Sequence, residues 1–245
     1  MKHPFRKKWG QNFLRDQNII TKIIDCLNLK INDNILEIGP GDGALTNHIV
    51  EKVHTFHGVE IDPYLIKNLN KKEYHNAIFH EADILKWDFN ILPNNIKIIG
   101  NLPYNISSPI LFRLLEVKNW KRMVLMFQKE VAQRIISHHK VKSYGRLSIM
   151  CQTYCHVNIK FIVPRNVFEP RPKVDSAVVI FKRKIGNLPE IEQFSMFIKK
   201  AFSQRRKKLK NNLPDAYDKG LLKKWADLRP EDLAPEDYLH LFTRI

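Results

Sequence analysis

A repeated alternation of strand-like and helix-like stretches leaves this chain few folds to choose from. Residues 34–39, 55–61, 77–80, 96–100 and 122–127 are short apolar runs that read as strands. Between and after them, residues 44–53, 63–70, 109–117 and 129–138 carry apolar side chains at helical spacing. Strands that alternate with helices imply a mainly parallel sheet covered on both faces, an α/β doubly wound fold. A long pair, 154–163 and 176–184, predicts an antiparallel hairpin at one edge of that sheet. Ahead of the first strand, Ile19, Ile20, Ile23, Ile24 and Leu27 fall on one helical face. The pattern changes near residues 184–189, and beyond it only helical spacing is found. Phe194, Phe197, Ile198, Ala201 and Phe202 form the apolar stripe there. Two domains are expected, 1–186 and a small helical one at 187–245.

In a doubly wound sheet, ligands bind outside the carboxyl ends of the strands. Three acid-bearing turns sit where those ends should be. The first strand runs into Glu37-Ile38-Gly39-Pro40-Gly41-Asp42-Gly43. Glycines let backbone approach a ligand closely. Their spacing is wrong for a dinucleotide fingerprint, since only Asp42 separates Gly41 from Gly43, and no Gly-Lys-Ser/Thr follows. A nucleoside without a pyrophosphate suits this loop. Glu60 ends the second strand, where a carboxylate can accept from both ribose hydroxyls. Asp83 follows the third and could accept from an adenine amino group. Each alone has a plainer explanation, in a helix cap or a turn aspartate. As a set they describe one pocket.

The fourth strand ends in Asn101-Leu102-Pro103-Tyr104-Asn105-Ile106-Ser107-Ser108-Pro109. This could be a helix start, with Asn101 or Ser107 as cap and Pro109 in the first turn. It could also hold a flat ring bearing an amine. An amide both donates and accepts, a proline stiffens the backbone, and a tyrosine offers a stacking face.

Lys+Arg total 41 against 25 Asp+Glu, a formal net charge of +16. Such an excess favours a polyanionic partner such as nucleic acid. The charge clusters in Lys199, Lys200, Arg205, Arg206, Lys207, Lys208 and Lys210, and again in Lys2, Arg6, Lys7 and Lys8. Both clusters are expected to contact RNA phosphates. Three cysteines with no CxxC pair suit free thiols in a reducing compartment. No histidine or cysteine spacing suggests a metal site, and no apolar run reaches the ~18 residues of a membrane span. The basic N-terminus has no apolar leader segment. A cytoplasmic protein is expected, and a monomer, since no exposed apolar helix calls for a partner.

Several motifs, taken in order, make a resemblance specific. GQNFL (10–14), EIGPGDGALT (37–46), VEID (59–62), ADIL (82–85), NLPYNIS (101–107) and FEPRPKVDSAV (168–178) follow the order found in the adenine N6-dimethyltransferases of ribosomal RNA. YGRLS (144–148) and FSQRRKKLKNNL (202–213) resemble the KsgA-type, small-subunit branch of that family. The resemblance implies a Rossmann-like class I methyltransferase sheet with a small C-terminal helical domain. It implies S-adenosylmethionine as cofactor, S-adenosylhomocysteine as product, and two adjacent adenosines near the 3′ end of small-subunit rRNA as target. Contacts to the cofactor would fall to Asn12, Leu14, Gly39, Gly41, Glu60, Ile61, Asp83, Ile84 and Asn101. The Asn101 oxygen and the Leu102 carbonyl would take the adenine amine, with Pro103 holding that carbonyl. Tyr104 and Phe168 would stack on the two faces of the base. A reacting base cannot stay stacked, so a flipped or single-stranded adenosine is expected. Two positions depart from the family pattern: Asp42, at a variable loop position, and Glu169, where an aromatic residue is common. The immature small subunit would be the partner, with a role in ribosome biogenesis besides catalysis. Alternatives are a large-subunit rRNA dimethyltransferase, a DNA adenine methyltransferase and a non-catalytic assembly factor. DNA enzymes usually show Asn-Pro-Pro-Tyr, where this chain has Leu102.

Overall fold

The structure is a computed structural model that describes residues 10–244. Lys7 and Lys8, with the rest of the N-terminal basic cluster, lie outside the described residues. In chain order the first elements are β1 (Phe13–Leu14), α1 (Gln17–Asp25), β2 (Asn34–Ile38), α2 (Thr46–Ile49), β3 (Thr55–Glu60), α3 (Pro63–Asn70) and β4 (Ala77–Glu81). Then come β5 (Ile96–Asn101), α4 (Ser107–Glu116), β6 (Trp120–Gln128), α5 (Lys129–Ile136), α6 (Arg146–Tyr154), β7 (Cys155–Val163), β8 (Phe168–Glu169) and β9 (Ser176–Arg183). The chain closes with α7 (Ile191–Ala201), α8 (Leu209–Asn212), α9 (Pro214–Asp218) and α10 (Pro235–Phe242).

Seven strands form one sheet in the order β4-β3-β2-β5-β6-β9-β7. β2 pairs in parallel with both β3 and β5, β3 with β4, and β5 with β6. β9 lies antiparallel to β6, with Met126 opposite Val178. The strand order therefore reverses at β2 and β5, and a crevice opens at their carboxyl ends. Helix faces follow from sequence spacing. In α1, Ile20, Ile23 and Ile24 are buried, and the Asp16 side chain caps the first turn by accepting from the Ile19 amide. Lys97 is buried in β5 because its ammonium meets Asp33 Oδ2 and the Asn28 carbonyl, each at 2.5 Å.

Two expectations change. The helix predicted over 44–53 is shorter: three glycines with positive φ carry the turn as far as Gly43, α2 spans four residues, and Val50–Lys52 tightens into a 3-10 turn. The segment between α5 and β7, unassigned by periodicity, holds α6. A further short pair was invisible in the sequence. β1 pairs antiparallel with β8, Phe13 opposite Glu169 and Leu14 opposite Phe168.

The chain separates into two compact units, residues 1–132 with 158–182, and 133–157 with 183–245. The expected division at residue 186 left 133–157 with the sheet; by packing, that segment groups with the C-terminal helices. The core of this second unit is aromatic. Phe194 meets Phe242 at 5.3 Å and Tyr154 at 6.1 Å, and the Tyr144 hydroxyl donates to the Leu233 carbonyl at 2.9 Å. Phe194, Ile198 and Ala201 are buried as their stripe predicts. All three cysteines are buried and free. Among the described residues no helix is long and apolar enough to cross a membrane, and no group of metal-ligating side chains is found.

Candidate active site

The carboxyl ends of β2, β3, β4 and β5 meet at one open cleft. Gly39, Gly41, Glu60, Ile61, Asp83, Ile84, Asn101, Leu102 and Pro103 all line it, as do Asn12 and Leu14 from the N-terminal segment. Four separate strand ends and one strap thus place the expected contacts together. Tyr104 and Phe168 are not among the lining residues.

Glu60 is 6% exposed, and its carboxylate organises the loop around it. Oε2 accepts from the Gly41 amide at 3.1 Å; Oε1 accepts from the amides of Ile61 and Asp62 at 2.9 and 3.0 Å. Burial pushes this carboxyl above the usual range, and the three amides pull it back down. A carboxylate has about four lone-pair sites, so acceptor capacity is left for a ligand. Gly41 sits at φ 60°, and a Cβ there would stand 3.1 Å from the Phe13 ring. The loop can follow this path only with glycine. Asp83 Oδ1 accepts from the Leu85 amide at 3.0 Å, which fixes the turn after β4.

The loop after β5 is held at several points. Asn101 Nδ2 donates to the Asn12 carbonyl at 2.7 Å, which leaves Oδ1 as the acceptor end of the amide. The Ile106 amide donates to the Pro103 carbonyl at 3.1 Å, and Ser107 Oγ donates to the Tyr104 carbonyl at 3.2 Å. The Tyr104 hydroxyl lies 2.5 Å from Ser176 Oγ. The helix-start reading holds only in part: α4 begins at Ser107 with Pro109 in its first turn, but the cap residue is Ile106, not Asn101 or Ser107, and no side chain caps it.

Phe168 stands elsewhere. The pairing of β8 with β1 turns it inward, 5% exposed, into the apolar core with Leu14 and Val163. Glu169, the next residue, faces outward. A base-facing Phe168 would have to leave that core.

Sequence reasoning passed over three groups around the cleft. Gln11 Nε2 donates to Asp62 Oδ2 at 3.1 Å, tying the N-terminal strap to the start of α3. Arg15 pairs with both Asp42 and Glu169, the two positions that depart from the family pattern, so it bridges the glycine loop to β8. Glu37 is 1% exposed, lines the cleft and accepts from Thr46 Oγ1 at 2.6 Å. Its signal was present in the sequence: an acid inside an otherwise apolar strand.

Burial pushes the Glu37 carboxyl up to about 8, aided by the nearby charges of Glu60 and Asp42 and opposed by the Thr46 hydroxyl. A carboxyl raised above its ordinary 4.5 contributes stability that is complete below pH 4.5 and lost as pH rises to about 8. Glu37→Gln is therefore expected to lose less thermal stability than the parent chain between those limits. Thermal unfolding of both proteins across that pH range checks this, and parallel curves would refute it.

The basic cluster of the second unit divides into two kinds of residue. Arg205 is half-buried and engaged, pairing with Glu231 and donating to the Lys142 carbonyl at 2.6 Å. Lys208 and Lys210 share Asp227 at 3.0 Å each. Arg206 and Lys207 are exposed, with no ion pair among the described residues.

A doubly wound sheet with an antiparallel β9 and acid-tipped strand ends around one cleft is the architecture of a class I methyltransferase. Two solved structures share it. A dimethyladenosine transferase from Plasmodium falciparum matches with a TM-score of 0.83 and 28% identity, over 94% of this chain and 95% of that one. The 23S rRNA methyltransferase ErmE matches with a TM-score of 0.71 and 27% identity, over 95% and 98%. A curated relative from Chlorobium phaeobacteroides, named Ribosomal RNA small subunit methyltransferase A, is 44% identical over 98% of this chain and 93% of its own length. The family model for ribosomal RNA adenine dimethylase matches residues 2–245, and this chain belongs to that family.

Proposed function

We propose that this chain transfers methyl groups from S-adenosylmethionine to N6 of two adjacent adenosines near the 3′ end of small-subunit rRNA. Asn101 carries the reading. Its amide nitrogen is tethered to the Asn12 carbonyl, and its oxygen is left as an acceptor beside three acid-bearing strand ends. The small-subunit target is supported by the naming of relatives that match nearly the whole chain, and by the RRKKLKNNL stretch.

The residues present fit the cofactor. A buried carboxylate with spare lone pairs suits a ribose diol, Asp83 suits an adenine amino group, and the loop at Gly39 and Gly41 admits a ligand against backbone. S-adenosylmethionine supplies an activated methyl on a sulfonium, so the protein's task lies with the acceptor. The N6 lone pair of adenine is delocalised into its ring. Hydrogen bonds from the amine to Asn101 Oδ1 and to the Leu102 carbonyl favour a tetrahedral nitrogen with that pair freed. Tyr104 supplies a stacking face. The surplus proton leaves the nitrogen after attack, which demands no dedicated base. Positioning and fixed dipoles carry the rate. The unit of residues 1–132 and 158–182 holds this chemistry, and the unit of 133–157 and 183–245 binds RNA. The enzyme works as a cytoplasmic monomer on the immature small subunit and doubles as an assembly factor.

Incubation with labelled S-adenosylmethionine and small subunits lacking the modification tests the proposal. Label should map to two adjacent adenosines near the 3′ end. Label confined to other positions of the small-subunit rRNA, or tight binding with no label, overturns it. The charge pattern adds a second expectation. Neutralising Arg206 and Lys207 should lower the slope of log affinity against log salt by about 1 per residue. Arg205→Ala should chiefly lower thermal stability, since it breaks a half-buried brace. Filter binding across a salt series, beside thermal unfolding, separates the two.

A further inference from the structure

We infer that Ser176 is a positioning residue for the methyl-transfer step, acting through Tyr104. The inference rests on the proposed stacking role of Tyr104. Tyr104 belongs to the loop between β5 and α4, and both Pro103 before it and Ile106 after it line the cleft. Its main chain is held from one side, where Ser107 Oγ donates to its carbonyl at 3.2 Å. Its far end is held from another, where its hydroxyl lies 2.5 Å from Ser176 Oγ.

Ser176 is a firm support. It is fully buried, opens β9, and stands opposite Gln128 in the antiparallel ladder at the carboxyl end of β6. It is therefore mounted on the sheet, while the tyrosine it meets is mounted on a loop. A side chain fixed at both its Cα and its hydroxyl keeps the direction of its ring axis and only rotates about it. Such a ring can present a face to a base without first being ordered by it, so less freedom is lost when the base arrives. The contact also has a polarity suited to this task. Burial raises the phenol above its ordinary range, so it stays neutral and can donate to the serine oxygen. A seryl hydroxyl placed 72 positions along the chain, in a strand that makes no contact with the cleft, has no other assigned part in the reaction.

A hydrogen bond kept only to satisfy two buried hydroxyls would affect folding and leave turnover alone. A double-mutant cycle on methyl transfer distinguishes the two. Ser176→Ala and Tyr104→Phe each remove the same bond while leaving a ring at position 104. Each is expected to lower kcat about 3- to 10-fold, the usual worth of one hydrogen bond, with KM for S-adenosylmethionine unchanged. The double variant should be no slower than the slower single one. Losses that multiply in the double variant, or full kcat in Ser176→Ala, overturn the inference. Tyr104→Ala tests the underlying stacking role separately, with a kcat loss larger than that of Tyr104→Phe. Should Tyr104→Ala keep full kcat, the stacking role fails; should it lose kcat while Ser176→Ala does not, only the positioning role fails. If Ser176→Ala does not fold, Tyr104→Phe at full kcat still overturns the inference, because it lacks the same bond.

Discussion

Asn101→Ala is expected to slow methyl transfer about 100- to 1000-fold, the usual cost of removing one preorganised dipole from a reacting centre. Affinity for S-adenosylmethionine should change only a few-fold. The asymmetry follows from what the side chain touches. Its nitrogen is engaged with the Asn12 carbonyl at 2.7 Å, inside the protein, so the oxygen is the end offered to a ligand. That oxygen helps most when the adenine nitrogen turns tetrahedral and its N–H bonds are redirected, which happens on the way to the transition state. An interaction stronger there than in the ground state appears in kcat. Asn101→Asp sharpens the test. It keeps an acceptor of the same shape but sets a carboxylate oxygen against the Asn12 carbonyl, so the end facing the ligand is no longer fixed. It should fall between the parent and the alanine variant. Single-turnover transfer from labelled cofactor, beside calorimetric binding, reads both quantities. Equal losses in rate and affinity from Asn101→Ala, with normal folding, would assign Asn101 to cofactor binding alone.

The difference between what could and could not be read from the sequence has a physical basis. Glu60 and Asn101 were legible because each closes a run of buried strand residues, and Asp83 because a short apolar run precedes it. An acid or amide after such a run marks a strand end. The antiparallel β9 was legible from the five-residue apolar run at its centre, 177–181. By contrast, the β1–β8 pair is two residues long on each side and joins positions more than 150 apart, so no local period announces it. The same pairing sends Phe168 into the core, which motif matching could not show. Arg15 carries the same lesson. In the sequence it is one of 41 basic residues, and only the fold places it between Asp42 and Glu169. The boundary expected at residue 186 could not reveal that 133–157 packs with the later helices. Periodicity reports which face of an element is buried and not what buries it.

Glu60→Ala is expected to weaken S-adenosylmethionine binding on the order of 100-fold or more, while RNA binding stays close to that of the parent chain. Two losses combine. The first is the acceptor for a ribose diol, and hydrogen bonds to an ionised group contribute about 1.5–3 kcal/mol each. The second lies within the protein: the amides of Gly41, Ile61 and Asp62 lose the carboxylate that now satisfies them. The glycine loop then loosens, and part of the binding energy goes to ordering it again. Glu60→Gln separates the two losses. Glutamine keeps one oxygen that can accept from Ile61 and Asp62, but its NH2 group points a donor at the Gly41 amide. It should bind cofactor better than alanine and worse than glutamate. Because burial raises the Glu60 carboxyl, cofactor affinity of the parent chain should also fall as pH drops through that raised value, and neither variant should show that component. RNA affinity should be unaffected, since Arg206 and Lys207 belong to the other unit. Calorimetry for the cofactor and filter binding for RNA measure the two separately, and a parallel fall in both would mean that Glu60→Ala had unfolded the sheet unit.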